Sequence, residues 1–251
     1  MEFKTVGAGR GAGWYADAWA IFKGQIGMWL LLVLIYLGLA IVLGFIPIIG
    51  QLTFALISPS LAGGLYLAAR EAEAGRPLDV KMLFQPLTDE RSRGPMLTLG
   101  AISIAFSLLL VLTLAAVMGG SAGTSALLGQ DPATMHAQMM GAGLAGLLTV
   151  LLLSLVFLMA MLYAAPLVLF AGMPPLQSLK LSLRACLGNW LPLLIFGLIL
   201  IPLAFLASLP LMLGWLFLMP IIMIAIYASY RDIFGGVQAT PAQQPPGTAT
   251  F

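Results

Sequence analysis

Residues 28–46 read MWLLLVLIYLGLAIVLGFI, an apolar run without one charged side chain. A helix needs about 20 such residues to cross the hydrocarbon core of a bilayer. The run is continuous, whereas a membrane-barrel strand alternates apolar and polar positions over about ten residues. The rest of the chain repeats the pattern: of 251 residues 61% are hydrophobic and 8% charged, with a mean hydropathy of +1.05. Soluble domains carry about 25% charged residues. The composition defines an all-α polytopic membrane protein, a bundle of transmembrane helices.

Working outward from this run, apolar length places six spans at about Gly27–Ile46, Leu52–Ala69, Met96–Met118, Gly141–Phe170, Trp190–Ser208 and Pro210–Tyr230. The fourth is too long for a perpendicular crossing and is expected to tilt or project. The last two form one uncharged run broken near Ser208 and Pro210, which a tight hairpin explains. Three regions follow: an N-terminal segment, 1–26; a six-span membrane domain, 27–234; and a tail, 235–251, whose Pro, Gln, Thr and Gly composition predicts cytoplasmic disorder. The polar N-terminus does not read as a cleaved leader, so the first span is expected to stay as a signal anchor.

The stretch Arg70–Pro95, REAEAGRPLDVKMLFQPLTDERSRGP, holds ten of the chain's 20 charged side chains. It lies between the second and third spans. Lys4, Arg10 and Lys23 precede the first span, Lys180 and Arg184 lie between the fourth and fifth, and Arg231 follows the sixth, so all 11 basic residues share one side. By the positive-inside rule both termini are cytoplasmic. The net charge of +2 therefore reports topology, and no nucleic acid partner is implied.

Two short amphipathic segments are expected to lie in the headgroup region. In WYADAWAIFKGQI, Tyr15, Trp19, Phe22 and Ile26 fall on one helical face; in the other, Leu176, Leu179, Leu183 and Leu187 share a face and Lys180 and Arg184 another. Trp29 and Trp190 open the spans that follow, and Tyr15, Trp19, Phe22, Trp29, Lys180, Arg184 and Trp190 are the predicted interfacial anchors. Upstream, Gly7, Gly9, Gly11 and Gly13 alternate like a dinucleotide fingerprint, but no strand precedes them. They read as a flexible lead-in.

The ends of the second and sixth spans echo each other. Both have Pro, six residues, Tyr, three residues, Arg and an acid: Pro59, Tyr66, Arg70, Glu71 and Pro220, Tyr227, Arg231, Asp232. The first and last hairpins thus read as divergent copies in parallel orientation, which points less directly to alternating access than an inverted repeat would. Tyr66, Arg70, Glu71, Tyr227, Arg231 and Asp232 are either interface anchors or a cytoplasmic contact or headgroup site.

No Asp, Glu, Lys, Arg or His falls inside the six spans, which argues against a proton-driven pump. No base accompanies an intramembrane serine, so no catalytic residue is assigned and the protein is not expected to be an enzyme. His136, with Met118, Met135, Met139 and Met140, has the donor types that suit Cu(I). With 14 methionines in the chain chance explains the cluster more simply, and neither metal nor cofactor is assigned. The single Cys186 cannot form an internal disulfide. Prolines 59, 166, 192, 202, 210 and 220 should kink the spans. Small pairs (Ala40 and Gly44, Ser60 and Gly64, Ala101 and Ala105, Ala142 and Gly146) suit close helix contact.

The opening MEFKTVGAGRGAGWYADAW, the turn Phe45-Ile-Pro-Ile-Ile-Gly50, the span end Pro59–Arg70, Ala165-Pro-Leu-Val-Leu169, Ser178-Leu-Lys-Leu-Ser182 and Gly188-Asn-Trp190 resemble an uncharacterised group of proteobacterial inner-membrane proteins of this length. The region Met161–Arg231 is also similar to the membrane domain attached to some glycerophosphodiester phosphodiesterases. The first resemblance implies a six-helix inner-membrane protein and brings no activity; the second brings no catalytic residue and a slight lipid connection. Two functions follow as expectations. One is a non-catalytic protein that binds or stabilises a lipid or another inner-membrane protein or complex. The other is a facilitator or flippase for a lipid or small amphiphile, working without a buried charge relay.

Overall fold

The apolar runs form long helices and the polar stretches between them form short ones. In the computed structural model, which describes residues 2–127 and 132–235 but not the side chains of 118–139 and 142, the order is α1 (Arg10–Phe22), α2 (Ile26–Gly44), α3 (Ile49–Glu73), α4 (Lys81–Thr88), α5 (Glu90–Leu127), α6 (Pro132–Leu162), α7 (Ala164–Ala171), α8 (Pro175–Gly188), α9 (Trp190–Ser208) and α10 (Trp215–Phe234). Six segments, with α6 and α7 counted together, are long and apolar enough to cross a membrane.

The bounds differ from the expected ones where charge and turns intervene. α3 and α10 run past Ala69 and Tyr230 to Glu73 and Phe234, because their polar ends stay hydrogen-bonded within the bundle. α10 starts at Trp215 because 209–214 make the hairpin turn, with Leu211 and Met212 at φ 50° and 64°. The outer segment 119–140 is helical on both sides of 128–131. The side chains of His136, Met118, Met135 and Met139 lie outside the described residues.

The long fourth span is broken. Pro166 cannot donate to the carbonyl four residues back and its ring crowds that carbonyl, and the helix stops at Leu162 and restarts at Ala164. Ser182 of α8 fills the gap: the Tyr163 N–H donates to Ser182 Oγ at 3.0 Å, and that hydroxyl donates to the Met159 carbonyl at 2.7 Å. A side chain has replaced one rung of the helix ladder.

α3 is the hub, packing against α1, α2, α4, α5, α7 and α10. Two glycines allow close approaches: a Cβ at Gly64 would collide with the backbone of Leu83 in α4, and one at Gly100 with the backbone of Leu56. Of the small pairs, Ser60 and Gly64 are buried and Gly146 packs on Val117, while Ala101, Ala105 and Gly44 are exposed.

The short helices dock on the bundle by small or aromatic faces. α1 buries Gly11, Trp14, Ala18 and Phe22 against α9 and α10, and Trp19 is exposed. α8 buries Ser178, Ser182, Ala185 and Cys186, leaving Leu176 and Leu187 outside. Lipid competes equally for a leucine face, so the inward face is the one that packs closely or hydrogen-bonds.

The N-terminal segment is docked, contrary to the flexible reading. The Lys4 N–H donates to the Ile233 carbonyl at 2.6 Å, the Val6 N–H donates to Asn189 Oδ1 at 2.8 Å, and Asn189 Nδ2 donates to the Lys4 carbonyl at 3.0 Å. Gln25 grips the segment leading into α4 in the same way: its amide donates to the Arg76 carbonyl at 2.8 Å and accepts from the Leu78 N–H at 2.9 Å. Both amides stand at the N-caps of membrane helices, α2 and α9.

Candidate functional site: a charged clasp and a lateral groove

At the charged end, α1, α3 and α10 meet through side chains. Arg231 pairs with Glu73, whose other oxygen accepts from the Tyr227 hydroxyl at 2.9 Å. Arg231 also lies 3.7 Å from Asp17 and 3.8 Å from Asp232. Arg10 donates to Asp232 at 2.7 Å and to Asp17 at 2.6 Å, and the Trp14 indole donates to Asp232 at 3.0 Å. Hydrogen bonds from Arg10 to Asp17 and then Asp232 hold its guanidinium still more firmly in the charged form. Burial pushes the Tyr15 hydroxyl up to about 12; it donates to the Phe196 carbonyl at 2.9 Å.

The six residues of the echoed span ends therefore part company. Tyr227, Arg231 and Asp232 belong to the clasp. Arg70 lies over the Phe170 ring, 4.9 Å from its centroid, and Phe170 packs edge-on against Tyr227. Glu71 is held by Arg76, with Arg70 3.6 Å away. Tyr66, buried at 5% exposure, faces a groove nearer mid-span. Among the expected interfacial anchors, Trp19, Trp190, Lys180 and Arg184 are exposed, Tyr15 is half-buried, and Phe22 and Trp29 are fully buried. Their burial follows from packing: Phe22 lies edge-on to Phe217, and Trp29 is part of the buried core.

The groove runs between α2 and α3 on one side and α5, α6 and α7 on the other, with a volume of about 600 Å³. Its walls carry Pro59, Leu99, Phe106, Phe157 and Met161, and six hydroxyls: Tyr36, Ser58, Tyr66, Ser103, Ser107 and Ser154. Ser107 and Leu158 are exposed and mark the side open to the surrounding membrane. Phe106 and Phe157 stack at 3.8 Å between centroids and close the wall between α5 and α6. Among the described residues no charged side chain lines it.

Sequence reasoning missed Glu73, Arg10, Asp17, Asn189 and the groove serines. Glu73 carried a usable clue, standing three residues past Arg70 on the same face of α3; the serines carried none, since a lone Ser in a span reads as packing. Groups of three or more His, Cys, Asp or Glu able to hold a metal are absent among the described residues. The fold and groove define an all-helical, multi-pass membrane protein. Comparison of the chain with protein-family models, curated proteins and solved structures finds no match.

Proposed function

We propose that this is a non-catalytic protein of a bacterial inner membrane, both termini cytoplasmic, that binds a membrane lipid in the lateral groove, alone or within a larger inner-membrane assembly. The groove carries the reading: a concavity of about 600 Å³ is in the range of ligand pockets, and its open side faces the membrane. The clasp supports it by tying the helix ends together, so that α3 presents a fixed wall. The echoed span ends act here as a structural junction.

Native mass spectrometry of protein extracted in mild detergent should find a lipid bound at one-to-one stoichiometry. Ala62→Phe, and independently Leu158→Trp at the mouth, should displace it. Equal lipid retention by wild type and both filled variants would sink the proposal. Reporters placed in the 74–80 loop and after Phe251 should both read cytoplasmic.

The open side also favours a second reading, that the groove passes lipid between leaflets. Reconstituted vesicles should then redistribute a fluorescent lipid faster than protein-free vesicles, and unchanged rates would remove it.

A further inference from the structure

The chemistry of the groove selects among lipids, an inference that rests on the lipid-binding reading. We infer that its occupant is a neutral lipid whose polar part is an uncharged carbonyl oxygen, held by the hydroxyls of Tyr36 and Tyr66. Neither hydroxyl has a hydrogen-bond partner among the described residues, although Tyr66 is buried at 5% exposure and lines the groove. In hydrocarbon no water is available to satisfy such a donor. An acceptor brought by the occupant would.

Three of the four groove serines do not compete for that acceptor. Ser103 and Ser107 donate to the carbonyls of Leu99 and Ser103 at 3.0 and 2.9 Å, and Ser58 to that of Ala55 at 3.2 Å. Their hydrogens are used within their own helices, and only lone pairs face outward. The free donors are thus the two tyrosines and Ser154, which suit an acceptor oxygen.

Depth excludes a phosphate. At 1.5 Å per residue Tyr66 lies about 10 Å along α3 from Glu73, and Ser103 about 20 Å along α5 from Glu90. The polar wall is therefore well inside the apolar region, and Arg70, the charge one turn from Tyr66, already lies over the Phe170 ring and beside Glu71, so a phosphate there would lack a free counter-charge. An ester or quinone carbonyl needs none, and its apolar chain can leave through the open side past Leu158.

Purified protein would be titrated by native mass spectrometry with dioctanoylglycerol, a short-chain benzoquinone and dioctanoyl phosphatidylglycerol. At least one of the first two should bind saturably, and its affinity should fall about fivefold to tenfold in Tyr36→Phe and in Tyr66→Phe. Binding of the phosphatidylglycerol should be the same in all three proteins. If the tyrosine variants weaken phosphatidylglycerol binding, or leave the neutral lipids unaffected, the neutral class is wrong while lipid binding stands. If no lipid binds wild type saturably, both readings fall. Tyr36→Phe with Ser154→Ala supplies the same test should Tyr66→Phe not fold.

Discussion

α3 and α10 differ from α5 and the fourth span in a way that inverts the rule for soluble proteins. In their most apolar stretches 50% of α3 and 56% of α10 are buried, against 6% for each of the other two. Yet the buried pair are the less apolar, with a mean hydropathy of 1.5 each, against 2.4 for α5 and 2.6 for the fourth span. In water the greasiest helix goes to the centre. In lipid a leucine gains nothing by leaving hydrocarbon for protein, so the centre goes to helices that pack closely or hydrogen-bond. α3 brings Ser60, Gly63, Gly64 and Tyr66, and α10 brings Tyr227, Ser229 and Tyr230, all buried.

The comparison breaks first at close contacts with the hub. Gly100→Val would drive a side chain into the backbone of Leu56, and Trp29→Ala would empty a fully buried site. Each should cost about 3 kcal/mol or more, seen as lost monodisperse protein and a much lower Tm in detergent. Gly197→Val on α9, where an added Cβ meets nothing within 4 Å, should change Tm little. Equal losses at both glycines would mean that α3 is not the centre.

The clasp is the next test. Glu73→Gln removes the carboxylate that receives both Arg231 and Tyr227. Because the two charged side chains are 29% and 38% exposed, the cost should be about 1 kcal/mol rather than that of a buried pair. A double-mutant cycle with Arg231→Gln should give a coupling of about 0.5–1 kcal/mol. No coupling would leave α3 and α10 joined by packing alone.

The spans were legible because apolar length is a local property, and so was the segregation of charge. What could not be read is what depends on a distant partner. Pro166 announces a disturbance in the fourth span, but its repair by Ser182 requires α8 to arrive alongside. Gly7 to Gly13 look flexible in isolation, yet Lys4 and Val6 are held by Asn189. Tyr66 and Tyr227 occupy the same place in an echoed motif and do different things: Tyr227 meets Glu73 across a helix contact, and Tyr66 meets an opening between α2 and α5. A motif sets where a side chain sits on its helix; its neighbours set its task.

Cys186 extends the comparison to the docked short helices. Burial pushes its thiol up to about 12, with a smaller opposing effect from Ser182, and its Sγ lies 3.3 Å from the Met159 carbonyl. At pH 8 its thiolate fraction should be about a thousandfold below that of a free cysteine, so maleimide should label only SDS-unfolded protein. The folded state keeps a proton that the unfolded chain loses near pH 9. Stability is therefore unaffected below that pH and should fall as pH rises from about 9 toward about 12. Cys186→Ala should flatten this part of a Tm profile. Prompt labelling of the folded protein would show α8 detached.

The smallest effect separates two tryptophans that the sequence pairs. Trp29 and Trp190 open the first and fifth spans, yet one is fully buried and the other 59% exposed. Trp190→Ala removes a ring that touches mostly lipid, so Tm in detergent should move by no more than about 0.5 kcal/mol equivalent. If the ring anchors the helix end at the headgroups, the change should appear only in a bilayer, as altered quenching of a label on α9 by depth-graded spin-labelled lipids. A Trp190→Ala loss in detergent as large as that of Trp29→Ala would place this ring in a protein contact and give the two hairpins equivalent entries after all.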